Sequence, residues 1–360
     1  MRSQKAPSGG SSPDSCDHAG RVELDSNIES RDCSLTVAIP TYDRPKQLLR
    51  QLSCLAPQLE CGAVEVLVCD NSPESTARSA IDATLKEHSG IPLRYVANGR
   101  NLGYDQNILE CARQARGRHV WFLSDDDDVS SDAVQQVLQH LDREQPDLLI
   151  LNSLDEGALE FTPTTASTAS SPAERWDVLA KCVWVSRVVI RNSTAVKRGL
   201  GDLNGTRLAQ LAMGNRALLA GSGQYSITEC VIVTNHPHVM FSSGFLHAFL
   251  DGFYQFISHP ESEFPLILAR RVGAQNLRFL ADARIRANRG QVYLNGPPSL
   301  WVELSRCWRY RAGLSLYLRF LAAHWISSTN RILGSAKVRT KFAGEHREAR
   351  SDEDRSYTSL

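Results

Sequence analysis

This sequence predicts an α/β fold, with a mostly parallel sheet flanked by helices and a helical extension at the C-terminal end. Three observations carry that reading. Short apolar runs alternate with amphipathic stretches between residues 35 and 152, the pattern of right-handed βαβ units. Polar clusters rich in Asp and Asn follow those runs, where the carboxyl ends of parallel strands gather their ligands. A chain of 360 residues also has length for one large or two modest domains with a real core.

The first strand is "LTVAIP" (Leu35 to Pro40), and "QLLRQLSCL" after it repeats Leu48, Leu49, Leu52 and Leu55 at helical spacing. "VEVLVCDNS" is a second strand, followed by Ala77, Ala80, Ile81 and Leu85 on one helix face. "LRYVAN" is a third. "DQNILECARQARG" then groups Ile108, Leu109, Ala112 and Ala115 and closes on Gly117, expected as a helix C-cap. "HVWFLS" is a fourth strand, and "SSDAVQQVLQHLDREQPD" is a helix with a Ser or Asp cap and Val134, Val137, Leu138 and Leu141 inward. "LLILN" is a fifth strand. From about residue 155 to 175 a Thr/Ser/Ala/Pro-rich stretch reads as a mobile loop or linker. Further on, "TRLAQLAMGNRALLAG" is a helix, "YSITECVIVTN" a strand and "SSGFLHAFLDGFYQFI" an apolar helix.

Lys plus Arg equals Asp plus Glu, 40 of each, so no overall charge argues for nucleic acid as a partner. Nine scattered cysteines without a CxxC pair read as reduced thiols in the cytoplasm. The N-terminal stretch is rich in Ser, Gly and Pro and has no apolar h-region, so it is expected to be a disordered tail and not a signal peptide. No run approaches the ~18 apolar residues of a spanning helix. His236 and His238 stand two apart with no acid or Cys beside them, and read as loop histidines. The stretch "WRYRAGLSLYLRFLAAHW" is basic, aromatic and amphipathic, suited either to an anionic membrane surface or to packing on the rest of the chain.

The chemistry concentrates after the fourth strand, where "VWFLSDDDDV" runs an apolar strand into Asp125, Asp126, Asp127 and Asp128. Two carboxylates about 4 Å apart repel by about 4 kcal/mol at an effective dielectric near 20. A hard cation, Mg2+ or Mn2+, would remove that repulsion and leave positions for phosphate oxygens; a solvated turn whose last Asp caps the next helix is the plainer alternative. After the first strand, "PTYDRP" lacks both GxGxxG and a P-loop lysine motif, so a diphosphate there needs the cation, with Arg44 and Lys46 adding charge. Asp70 suits a ribose diol or the imide of a pyrimidine, or serves an Asx-turn in "DNSP". Tyr42 suits stacking on a base, or core packing. "NGRNLGYDQN" offers Asn101, Asp105 and Asn107 to sugar hydroxyls, with Gly103 permitting close approach, or forms a loop and N-cap.

In order and spacing, "LTVAIPTYDRP", "VEVLVCDNSP", "NLGYDQNILECARQARG" and "VWFLSDDDDV" resemble the N-terminal half of family 2 glycosyltransferases with the GT-A fold, especially abequosyltransferase-like members. The resemblance spans residues 34 to 152. It implies a nucleoside pocket at Pro40, Thr41, Tyr42 and Asp70 and a ribose or donor-sugar contact at Asn101 and Asp105, and Asn71 and Arg44, read from their positions after the strands, join the nucleotide site. It implies a DXD metal motif in the aspartates, with Ser124 at the usual first Asp position. The metal ligands are then Asp125 and Asp127, with Asp127 favoured, and Asp126 faces the nucleotide.

Inverting transfer to a hydroxyl of a polysaccharide or lipid-linked glycan is implied as well, with a carboxylate base. The "ED" pair that supplies this base in the family is missing. Asp202 is the candidate, with Glu229 and Asp251 behind it. The implied organisation is a tail over 1–33, a nucleotide-sugar half over 34–152, an acceptor half over 153–260, a helical extension over 261–335 with peripheral membrane contact, and a tail over 336–360. The alternatives are a sugar-nucleotide nucleotidylyltransferase, which would want a Gly-rich basic loop after the first strand, and a non-catalytic binding protein that has lost its base.

Overall fold

The computed structural model describes residues 23–25, 33–59, 63–155, 158–233 and 251–288. Its strands are β1 (Glu23–Asp25), β2 (Leu35–Thr41), β3 (Val64–Asp70), β4 (Leu93–Ala97), β5 (His119–Phe122), β6 (Asp128–Val129), β7 (Leu148–Asp155), β8 (Ala158–Leu159), β9 (Thr164–Thr168), β10 (Val188–Arg191) and β11 (Gln224–Val233). The helices are α1 (Pro45–Leu55), α2 (Arg78–Glu87), α3 (Tyr104–Gln114), α4 (Ala133–Glu144), α5 (Pro172–Leu179), α6 (Ala209–Ala220), α7 (Phe253–Ser258) and α8 (Leu266–Asn288). They divide into two compact units, one drawn from 1–169, 178–200 and 213–235 and the other from 170–177, 201–212 and 236–360.

The first unit is built on the sheet, in the order β1-β4-β3-β2-β5-β10-β7-β11-β6, with β8 on β7 and β9 on β11. β4, β3, β2 and β5 run parallel. All seven residues of β3 are buried, as expected of parallel strands covered on both faces. Register places Thr41 beside Asp70 and Asp70 beside Ala97, so the carboxyl ends of β2, β3 and β4 finish level. Helix α1 starts immediately after β2 with Pro45 in its first turn, where the ring's fixed φ suits the helix and no N–H is lost from the ladder. Leu48, Gln51, Leu52 and Leu55 form its buried face.

Several expectations need correction. Helix α3 ends at Gln114 with Ala115 extended, so Gly117 caps nothing. Its N–H donates to Thr36 Oγ1 at 2.8 Å, and a Cβ there would stand 2.5 Å from the Thr36 nitrogen. Asp132 holds the N-cap position of α4 without a capping bond; its Oδ1 instead accepts from Gln136 Nε2 at 2.8 Å. The stretch read as a linker contains β8 and β9, and β9 pairs antiparallel with β11. β10, which the sequence pattern did not announce, lies antiparallel between β5 and β7 and separates them.

The second unit gathers Trp176, Phe253, Phe256 and Phe264 edge to face, with ring centroids 5.4 to 6.4 Å apart. Arg175 lies 5.2 Å over the Phe264 ring. Close packing at its Gly252 is enforced by the Thr206 carbonyl, 2.5 Å from where a Cβ would sit. Among the described residues no helix is long and apolar enough to cross a membrane. His236, His238 and the basic aromatic stretch lie outside the described residues.

Candidate active site

Backbone pairing carries the acidic turn to the carboxyl edge. Leu123, just past β5, donates its N–H to the Ala38 carbonyl at 2.9 Å, and Ser124 N–H donates to Ser186 Oγ at 2.9 Å. Ser186, in a 3-10 turn at Val185–Arg187, is itself fixed by Trp121 Nε1 donating to its carbonyl at 2.8 Å. The turn is therefore clamped between β2 on one side and the approach to β10 on the other.

Each aspartate has a protein partner. Asp125 is 3% exposed; its Oδ2 accepts from Thr41 Oγ1 at 2.7 Å and its Oδ1 from Arg44 Nη1 at 3.1 Å. Burial pushes the Asp125 carboxyl above the usual range, and the Thr41 hydroxyl and the Arg44 guanidinium pull it back only in part. Asp126 accepts from the same Arg44 Nη1 at 2.7 Å and from Ser124 Oγ at 2.5 Å. Asp127 Oδ2 accepts from Ser186 Oγ at 2.5 Å. Asp128 pairs with Arg50 Nη2 at 3.3 Å, and that nitrogen also donates to the Asp126 carbonyl at 3.1 Å.

Arg50 and Ser186 were not among the expected site residues. Neither carries a local signal: Arg50 meets its partners 76 and 78 residues along the chain, and Ser186 meets Asp127 at a separation of 59.

The ends of β3 and β4 form an amide-rich wall. Asp70 is fully buried; Oδ1 accepts from Ser72 N–H at 2.9 Å, and Oδ2 from Ala77 N–H at 3.1 Å and Tyr95 Oη at 3.0 Å. Its carboxylate thus organises the turn after β3. Asn71 Nδ2 donates to Asn101 Oδ1 at 2.9 Å, and Asn71 Oδ1 accepts from Leu102 N–H at 2.8 Å and Asn98 Nδ2 at 3.2 Å. Asn98 Nδ2 also reaches Asn107 Oδ1 at 2.9 Å. Gly103, at φ +83, supplies the bend before α3, and Asp105 is buried in the first turn of that helix.

Pro40 lies in β2 beside Cys69. Tyr42 is 49% exposed, a position open to a flat ligand. Asp43 sits at φ +54, held by its N–H to Ser72 Oγ at 2.9 Å. The structure thus brings Pro40, Thr41, Arg44, Asp70, Asn71, Asn101 and the aspartates to one edge of the first unit.

The acids named as bases stand on other elements. Asp202 is exposed in the 3-10 turn Gly201–Leu203 of the second unit, with its carbonyl accepting from Gln255 Nε2 at 2.5 Å. Asp251, half-buried, belongs to the same unit, and Glu229 is exposed on β11.

The mostly parallel sheet with helices on its faces and a polar edge has the GT-A-like fold of its structural neighbours. Residues 36–198 match the family described as Glycosyl transferase family 2. Over that segment the chain matches the glycosyl transferase family, which supports a glycosyltransferase. Among solved structures, it is similar to S. aureus TarS 1–349 in complex with UDP at 16% identity and a TM-score of 0.52, over 82% of this chain and 88% of that one. The same TarS segment in complex with UDP-GlcNAc matches at 13% identity and a TM-score of 0.46, over 81% and 79%. The mannosyltransferase PcManGT from Pyrobaculum calidifontis, in complex with GDP-Man and Mn2+, matches at 16% identity and 0.42, over 90% and 82%. At these identities the likeness concerns the fold. None of the curated proteins matches the chain.

The residues at this edge suit a hard divalent cation, because the donor set is oxygen alone: carboxylates and the hydroxyls of Thr41, Ser124 and Ser186. Among the described residues no three His, Cys, Asp or Glu side chains converge as a metal cluster. Such a cluster is not required where substrate phosphates complete the shell and one or two carboxylates suffice. Asp126 and Asp127 are partly exposed, whereas Asp125, expected as a ligand, is buried with an oxygen on each of Thr41 and Arg44.

Proposed function

We propose that the protein transfers a sugar, with inversion, from a nucleoside diphosphate donor to a hydroxyl of a polysaccharide or lipid-linked glycan. The observation that carries this reading is the convergence of the acidic turn, Arg44 and the asparagine wall at the carboxyl ends of the parallel strands β2 to β5. Asn71 and Asn101 face the ribose or donor sugar, Tyr42 the base, and Arg44 the diphosphate. Asp126 and Asp127 would hold Mg2+ or Mn2+, and Asp125 anchors the turn beneath them. When bound, the cation neutralises the departing nucleoside diphosphate. The acceptor hydroxyl attacks the anomeric carbon in line, the bond to the diphosphate oxygen breaks, and the hydroxyl proton passes to a carboxylate.

Asp202 is the proposed base. Cys33, Cys54, Cys69, Cys111 and Cys182 are free thiols, which supports a cytoplasmic location; the basic aromatic C-terminal stretch supports peripheral contact with the inner face of the membrane. Release of UDP, GDP or TDP from the corresponding sugar donors, with Mn2+ and with or without a lipid-linked glycan, tests the reading. Acceptor-stimulated release of one nucleotide is expected, and Asp202→Asn should slow it at least about 100-fold while donor affinity is kept. Absence of release from every donor would defeat the assignment.

A further inference from the structure

We infer that Arg44 is an internal counter-ion that closes the acidic turn to a bare cation, so that metal and nucleotide diphosphate enter together. The inference rests on the metal reading given above and adds to it the group that the cation must displace. One nitrogen, Arg44 Nη1, lies 2.7 Å from Asp126 Oδ2 and 3.1 Å from Asp125 Oδ1. This positive group occupies Asp126 Oδ2, an oxygen that the cation held by Asp126 and Asp127 would need.

The three partners differ in freedom. Asp125 is fixed by burial and by Thr41 at 2.7 Å. The Arg44 side chain is 48% exposed, and its backbone, at φ −132 and ψ 53, stands just outside α1. The guanidinium is therefore the member able to leave. Its departure does not loosen the turn, because Arg50 still holds the Asp126 carbonyl and the Asp128 carboxylate, and Ser186 still holds Asp127 and Ser124.

Competition then sets the order of binding. A cation arriving alone must take the Asp126 oxygen from Arg44 and leave that guanidinium with Asp125 alone. A diphosphate arriving with the cation gives that guanidinium new acceptors, which its planar fork suits. Differential affinity of this kind couples the two ligands reciprocally.

The test is Mn2+ binding to the full chain, read by the electron paramagnetic resonance of free Mn2+, with and without saturating UDP, GDP or TDP. Wild type should bind Mn2+ weakly alone and tightly with its nucleotide. Arg44→Gln should bind Mn2+ alone about tenfold more tightly than wild type, a change of about 1.4 kcal/mol, and the nucleotide should add correspondingly less. Arg44→Lys, which keeps the charge, should stay near wild type. Asp126→Asn in the Arg44→Gln background should remove the gain, and circular dichroism and thermal melting check that each variant folds. Nucleotide-dependent Mn2+ binding in wild type with no gain in Arg44→Gln would overturn the inference and leave the metal reading standing. Wild type that binds no Mn2+ with any of the three nucleotides would overturn both.

Discussion

His119 opens β5 and is 6% exposed, with Nε2 donating to the Pro146 carbonyl at 3.1 Å in the neutral form. Burial pushes its pKa down from 6.5 to about 4; Arg191 and Arg118 push the same way, against the Pro146 carbonyl and Asp147. The imidazole is neutral in both states above the unfolded value. As pH falls through 6.5 the unfolded chain takes a proton that the folded chain refuses until about 4, so stability is lost across that window. The loss approaches about 3 kcal/mol at the lower end. Urea midpoints measured from pH 7 to pH 4 should fall accordingly, and His119→Gln, which keeps a donor for Pro146, should flatten the curve. An identical slope in the variant would assign the acid sensitivity to other groups. At the other end of the same strands, the aspartate run was legible because four adjacent acids after an apolar strand require a compensating charge. What compensates was legible only in part: Arg44 was read as adding charge after the first strand, whereas Arg50 and Ser186 carry no local signal, and all three reach the aspartates through tertiary pairing. Asp70 shows the same limit, since its position was legible and its three protein donors were not.

Elements differ in how much of their identity is local. β2, β3 and β5 are runs of aliphatic and aromatic residues buried on both faces, so composition alone marks them. β9 is Thr164–Thr168, largely exposed, and its place depends on main-chain pairing with β11; side-chain pattern cannot reveal such a strand. For α5, the local signal was present in "SPAE". Ser171 Oγ accepts from Glu174 N–H at 3.2 Å while Glu174 Oε2 accepts from Ser171 N–H at 2.8 Å, a capping box that starts the helix. Gly117 is the sharpest case, a glycine read as a helix stop that in fact lets the chain pass against β2. Gly117→Ala should destabilise by about 2 kcal/mol or more, because a Cβ would meet the backbone of Thr36 and Leu35 at 2.5 and 2.6 Å. Gly199→Ala is the control, since a Cβ there meets nothing nearer than the Arg113 guanidinium at 4.0 Å. Thermal midpoints of the two variants compare them directly; equal midpoints would show that β2 yields at little cost.

At the scale of the molecule, the residues proposed for the donor, Thr41, Tyr42, Arg44, Asp70, Asn71, Asn101, Asp105 and Asp125 to Asp128, all belong to the first compact unit, and Asp202 belongs to the second. On the proposed function, donor binding belongs to one unit, and the proposed base Asp202 lies in a stretch that lacks the family's "ED" pair. Hydrogen exchange separates the two. Nucleotide with Mn2+ at about 100 times its dissociation constant adds about 2.7 kcal/mol to whatever opening releases the ligand, which slows exchange of amides exposed by that opening about 100-fold. Slowing is expected in peptides covering 41–44, 70–72, 98–105 and 124–128, the loops that end the parallel strands. Peptides from α7 and α8 should exchange unchanged, because no donor-side residue lies on either helix. Slowing confined to α7 and α8 would place the donor on the second unit and remove the acidic turn from the chemistry.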